Sequence, residues 1–355
     1  MKIGIMTFHW ATNYGAVMQA YALSEYLTRN GADVRIIDYY PYRLKTNKLN
    51  AFRTRHLSHV PQRLRTVEKE KNIEAFRRKY LRRTKYYSSN RKLQKENFAF
   101  DCFICGSDQI WNESFLSGGE RKKTYSYLLN FAPANKIIAS YAASFGVTKY
   151  KENLKKHLKK YLKRFDFVSV RENSGLDILN GIGINNACVV PDPTLLLKKS
   201  DYEKLLSENI YTEKYTFVYL LHGKMNNAAD VIEYSQQQGN KTIKCGNVGI
   251  EDWLTRIYYA EHVITNSFHG IVFAIIFQKP FTAILIKGSG MNDRISTLLD
   301  TVGLTNQIYR GDTAVFNNKI DWDMVSHKLE QYREIGYDYI KNILSYQKGL
   351  KINEN

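Results

Sequence analysis

The sequence predicts an α/β protein made of two Rossmann-like, doubly wound domains facing a cleft. Short apolar runs alternate with segments of helical period along the chain. The runs are continuously apolar and not alternating, as parallel strands covered on both faces are. The rhythm breaks at Val190-Pro191-Asp192-Pro193 and then restarts. With 355 residues the chain is long enough for two domains of roughly 150 residues. Its 44% apolar and 24% charged content excludes a fibrous or wholly disordered protein.

The first domain, residues 1–190, opens with a strand over 3–7. A helix over 16–27 follows, stopped at Gly31, and then a strand over 34–37, which together make a βαβ unit. Further strands are expected at 100–105, 137–141, 167–170 and 187–190, with a helix at 154–165. The Pro-Asp-Pro run reads as an interdomain linker. In the second domain, residues 195–315, strands are expected at 217–221, 242–244, 262–265 and 281–286, and helices at 228–237, 252–259, 271–277 and 294–300. Residues 316–355 carry a last helix, at about 322–346, expected to pack back on the first domain and tie the halves around one cleft. No apolar run approaches the roughly 18 residues that span a bilayer. The run at 3–7 is too short for a secretory signal, so a cytoplasmic location is expected.

Net charge is +18, and it is concentrated. Residues 43–96 hold 18 basic residues against four acidic ones, which is +14 of the total. This basic helical insertion suits either a solvated surface or peripheral contact with anionic lipid at the inner face of the plasma membrane. It lacks a nucleic-acid-binding fold or a finger pattern, so no nucleic-acid partner is expected. Cys102, Cys105, Cys188 and Cys245 all sit in strand-like runs and read as reduced core thiols. Cys102 and Cys105 are three apart in an extended run and point to opposite faces, so no metal site is expected.

In open α/β sheets ligands lie beyond the carboxyl ends of strands, which directs attention to four loops. Neither GxGxxG nor GxxxxGK[ST] occurs. In the first loop Asn13 either caps the following helix or, with Gly15, helps its free amides meet an anion. In the second, Asp108, Trp111 and Asn112 suit a saccharide, the ring stacking and the polar groups bonding hydroxyls, although turn chemistry also explains them. In the third, Arg171 can grip a phosphate or carboxylate, or form a salt bridge to Glu172 or a neighbour. The fourth, Thr265-Asn266-Ser267-Phe268-His269-Gly270, leads into a helix so apolar that it must be buried. Its N-terminus then aims free amides inward, with Ser267 as cap and His269 beside any bound anion.

Asn13-Tyr14-Gly15-Ala16, Gly106-Ser107-Asp108-Gln109-Ile110-Trp111-Asn112, Ser169-Val170-Arg171-Glu172, Asp192-Pro193-Thr194 and Thr265-Asn266-Ser267-Phe268-His269-Gly270 together resemble the polysaccharide pyruvyl transferase family. The resemblance runs from the first strand to about Arg294, and the basic insertion is its least family-like part. It implies a GT-B-like fold. It also implies transfer of the enolpyruvyl unit of phosphoenolpyruvate onto a sugar of a cell-surface polysaccharide or its lipid-linked precursor, forming a pyruvate ketal without a cofactor. On this reading the first domain is the acceptor side and the second the donor side. Arg171, Ser267 and Gly270 bind the donor, His269 is the general acid or phosphate contact, and Asp108 is a candidate base. Asn13, Trp111 and Asn112 take the acceptor. Some members carry Arg where this chain has Phe268, and Lys287 and Arg294, after the next strand, can supply that charge. A nucleotide-sugar glycosyltransferase and a non-catalytic anion- or glycan-binding protein are the alternatives.

Overall fold

The computed structural model describes residues 1–40, 60–116, 125–221 and 228–348. Two parallel sheets organise it. The first has the order β2-β1-β3-β4, built from β1 (Lys2–Met6), β2 (Asp33–Ile36), β3 (Cys102–Cys105) and β4 (Ile137–Ser140). Single bridges from Ala139 to Phe167 and from Ala143 to Val170 extend it to β5 (Ser169–Val170) and β6 (Cys188–Val189). The second sheet has the order β10-β9-β7-β8, built from β7 (Tyr215–Tyr219), β8 (Lys241–Lys244), β9 (His262–Thr265) and β10 (Phe281–Ala283).

The two sheets share one winding. In each, the first strand pairs with the second on one side and with the third on the other. The loops after β1 and β3, and those after β7 and β9, therefore leave their sheets at the points where strand order reverses. Those points are where open α/β sheets bind ligands.

Helix α1 (Tyr14–Arg29) follows β1, and Gly31 at φ +84° turns the chain back into β2. Helix α2 (Val60–Tyr80) belongs to the basic segment, whose residues 43–59 lie outside the described ones. The smaller helices α3 (Asn90–Gln94), α4 (Glu152–Leu162), α5 (Asn173–Asn180) and α6 (Lys199–Glu203) flank the first sheet and its exit. In the second half α7 (Ala229–Gln237), α8 (Ile250–Tyr258), α9 (Phe268–Ile276) and α10 (Asn292–Val302) alternate with strands. All nine residues of α9, FHGIVFAII, are buried, as a helix apolar on every side must be.

The predicted strand at 281–286 ends early, at Ala283. Asn292 explains it: its Oδ1 accepts from Ile286 N at 3.0 Å and its Nδ2 donates to Ile286 O at 2.7 Å, drawing the chain off the sheet. Helix α11 (Trp322–Ser345) returns across the first sheet. Arg333 donates to Leu195 O, Tyr339 donates to Ser140 O, and Tyr337 stacks on Tyr26 at 5.2 Å. The 190–193 run is no solvated linker. Val190 and Asp192 are buried, and Asp192 caps a short turn by accepting from Thr194 N. No described helix is long and apolar enough to cross a membrane.

Candidate active site

Two helices meet head to head at the crevice between the sheets. Asn13 Oδ1 accepts from Ala16 N and caps α1, which leaves the amides of Tyr14 and Gly15 without a partner among the described residues. Ser267 Oγ accepts from Gly270 N and caps α9, leaving the amides of Phe268 and His269 likewise. The contact is tight: a Cβ at Gly15 would lie 2.0 Å from His269 Nδ1. Two N-terminal dipoles, each equivalent to roughly half a positive charge, therefore face one space.

That space is a cleft enclosing about 70 Å3. Asn13, Asp108 and Gln109 line it from the first half; Asn266, Phe268, His269, Met291 and Arg294 line it from the second. His269 and Arg294 are 6% and 9% exposed, so the site is nearly closed. His269 Nε2 makes no hydrogen bond. Asp108 stands at φ +68°, a conformation Asp tolerates better than most residues, and its Oδ1 accepts from Gln109 N.

Beneath the cleft Asp192 is the hub. Its Oδ2 lies 2.6 Å from Arg171 Nη1 and 3.6 Å from His269 Nε2, and its Oδ1 accepts from Thr194 N and Oγ1. Burial pushes this carboxyl up, but the opposing His269 and Arg171 charges hold it well below the usual carboxylate range. Glu172 is turned away: its Oε1 accepts from Ser144 Oγ and the amides of Phe145 and Gly146. Phe268 sits between two guanidiniums, with Arg171 4.7 Å and Arg294 5.7 Å from the ring centroid. Burial, and then the charge of Arg171, push Arg294 down to about 10. A ring that accepts two cation contacts thus stands where an arginine would have added a third buried charge.

Several residues lie elsewhere than their residue types and positions suggest. Trp111 is fully buried, donates to Tyr127 O, and offers no face to a sugar. Asn112 is 8% exposed and serves its own turn, its Oδ1 accepting from Ser114 N. Ser267 N is taken by Thr265 Oγ1 and Gly270 N by Ser267 Oγ, so neither amide is open to a donor; Gly270 is required because a Cβ there would lie 2.6 Å from Thr265 Oγ1. Lys287 is exposed beyond the cleft, whereas Arg294 lines it. Arg171 pairs with Asp192 and not with Glu172, lying under the cleft and not in its wall. The residue overlooked was Asp192, whose flanking prolines resemble a loop breaker.

The basic helix α2 is partly structural. Buried Arg77 pairs with Glu70 and Glu74, and it donates to the carbonyls of His9, Trp10 and Ala11, fixing the loop that ends at Asn13.

Comparison with known proteins agrees with this architecture. The UDP-GlcNAc 2-epimerase of Methanocaldococcus jannaschii, in complex with UDP-GlcNAc and UDP, is 15% identical over 98% of this chain and 100% of its own, at a TM-score of 0.53. The S. aureus MnaA-UDP co-structure is 11% identical over 97% and 96%, at 0.50. The fold is GT-B-like. No curated protein matches the sequence. The sequence profile of the polysaccharide pyruvyl transferases matches residues 13–288, a span that holds every residue of the cleft except Met291 to Ile295, and the chain belongs to the polysaccharide pyruvyl transferase family.

Proposed function

We propose that the protein moves the enolpyruvyl group of phosphoenolpyruvate onto two hydroxyls of a saccharide, forming a pyruvate ketal. One observation carries this reading: two helix N-termini from different halves, capped at Asn13 and Ser267, converge with His269, Arg294 and the unused amides of Phe268 and His269 on a small closed cleft. Such a cleft suits a compact polyanion.

In this mechanism His269 delivers a proton to the donor's methylene carbon, which becomes a methyl group. A first hydroxyl, its proton taken by Asp108, bonds the adjacent carbon. The bond from that carbon to the phosphate oxygen breaks and phosphate leaves. The second hydroxyl closes the ketal, and its proton ends on the phosphate. The steps balance without a cofactor.

The acceptor is read as a sugar of a cell-surface polysaccharide or its lipid-linked precursor, approaching from the first half. With Trp111 in the core, half-buried Trp10 is the better platform. It lines, with Tyr40 and Arg83, a cavity of about 900 Å3. Chain reach keeps it within roughly 11 Å of Asn13. A cytoplasmic enzyme meeting anionic lipid through exposed Lys71, Arg78 and Lys79 fits that approach.

The test is orthophosphate release from phosphoenolpyruvate across a panel of saccharide acceptors, with melting temperatures alongside. Release that needs both substrates, and a melting temperature raised by phosphoenolpyruvate, is the expected result. Stabilisation by UDP-GlcNAc alone, with no phosphate released, would replace this reading with a nucleotide-sugar one, as the fold relatives' ligands suggest.

A further inference from the structure

We infer that a chamber beside the cleft, bounded by Lys69 and Lys244, is a phosphate-binding subsite continuous with the donor site. This rests on reading the cleft as that donor site. The chamber has a volume of about 320 Å3 and lies at the carboxyl ends of β7 and β8. Leu221 lines both spaces.

Charge arithmetic within the cleft motivates it. Arg171 and Arg294 face Asp108 and Asp192, so these four charges cancel and His269 alone can add a positive one. A donor with about three negative charges would be met there by at most one net positive charge, besides amides and helix dipoles. Lys287, expected to help, lies outside.

Lys69 offers what is missing. It is half-buried, and no carboxylate pairs with it among the described residues. Its Nζ lies 4.1 Å over the ring of Tyr14, which follows the cleft residue Asn13 and precedes Gly15, packed against His269. Burial lowers its pKa, as expected for an ammonium removed from water without a counter-charge. Helix α2 carries it across to the second half, where neighbouring Asn72 donates to Asn247 O. An anion between Lys69 and Lys244 would relieve that cost and bridge the two halves. Two separate ammonium groups, each a compact point charge, can meet different oxygens of one phosphate. The phosphate is either the donor's own or one end of a diphosphate on a saccharide.

Calorimetric titration of the full chain with orthophosphate, phosphoenolpyruvate and UDP, at constant ionic strength, separates these sources. We expect Lys69→Met and Lys244→Met each to raise the Kd for orthophosphate and phosphoenolpyruvate about tenfold, and Lys69→Arg to recover most of the loss. A loss confined to UDP would keep the subsite and assign it to a diphosphate. Unchanged affinity for all three ligands in both methionine variants, with unaltered circular dichroism, overturns the subsite. Lys69-dependent phosphate binding without phosphoenolpyruvate turnover would leave the subsite standing and remove the donor assignment.

Discussion

At Asp192 a carboxylate with almost no exposure to solvent faces Arg171 at 2.6 Å and His269 at 3.6 Å. Asp192→Asn keeps the shape and removes the charge, leaving buried Arg171 with only Asp108, 3.8 Å away, as a charged partner. Urea unfolding should register a loss of about 3–5 kcal/mol. The same change makes the cluster more cationic, so kcat should fall as His269 loses its anchor while the donor's KM does not rise. A raised KM with unchanged kcat would remove Asp192 as the residue positioning His269. Arg294 presents the opposite case. Its charged form is disfavoured by burial and then by Arg171, which together lower its pKa from the usual guanidinium range to about 10. The unfolded chain binds that proton more tightly, so the penalty is complete below pH 10 and is relieved as pH rises above it. Arg294→Met should therefore stabilise the empty protein at neutral pH, by on the order of 3 kcal/mol at most, while weakening phosphoenolpyruvate binding. A variant less stable than the parent would show that Arg294 is compensated without ligand.

Helices α1 and α9 set the site by where they begin. The fully apolar α9 was legible because no amphipathic alternative exists for FHGIVFAII, and the caps Asn13 and Ser267 were legible from residue type and position. What could not be read was which amides the caps would consume, since that depends on side-chain rotamers. Nor could a sequence reveal that Trp111 points into the core, because a loop's polar flanks do not fix the direction of its ring. The head-to-head contact gives a direct test. Gly15→Ala lies early in a 16-residue helix, where alanine is intrinsically favourable, yet its Cβ would overlap the imidazole of His269. Turnover should fall by at least tenfold while helix content is unchanged. Near-normal turnover would mean that the imidazole has another position from which it works.

Across the whole molecule, the strand rhythm and its restart were legible because buried parallel strands leave continuous apolar runs. The interlocking of the halves was not, because it depends on residues far apart in sequence: Tyr14 stacked on Trp253 at 5.2 Å, Tyr14 Oη donating to Val248 O, and Ser174 N donating to Asp293 Oδ2. Closure has a mechanical consequence. With His269 and Arg294 under a tenth exposed and about 70 Å3 between the halves, a saccharide cannot reach the donor unless the halves part. Gly290 and Val147 offer a way to prevent this, since a Cβ at Gly290 would lie 3.0 Å from Val147 Cα. The two backbones are in contact, and a bridge forms once they part by the few tenths of an ångström that a Cβ there requires. The double substitution Gly290→Cys with Val147→Cys should be active when reduced and lose turnover on oxidation, with dithiothreitol restoring it. Because the bridge clamps the closed form without touching a cleft side chain, phosphoenolpyruvate bound before oxidation should remain trapped through gel filtration. Full turnover in the oxidised protein would mean that substrates enter by a path that does not separate the halves.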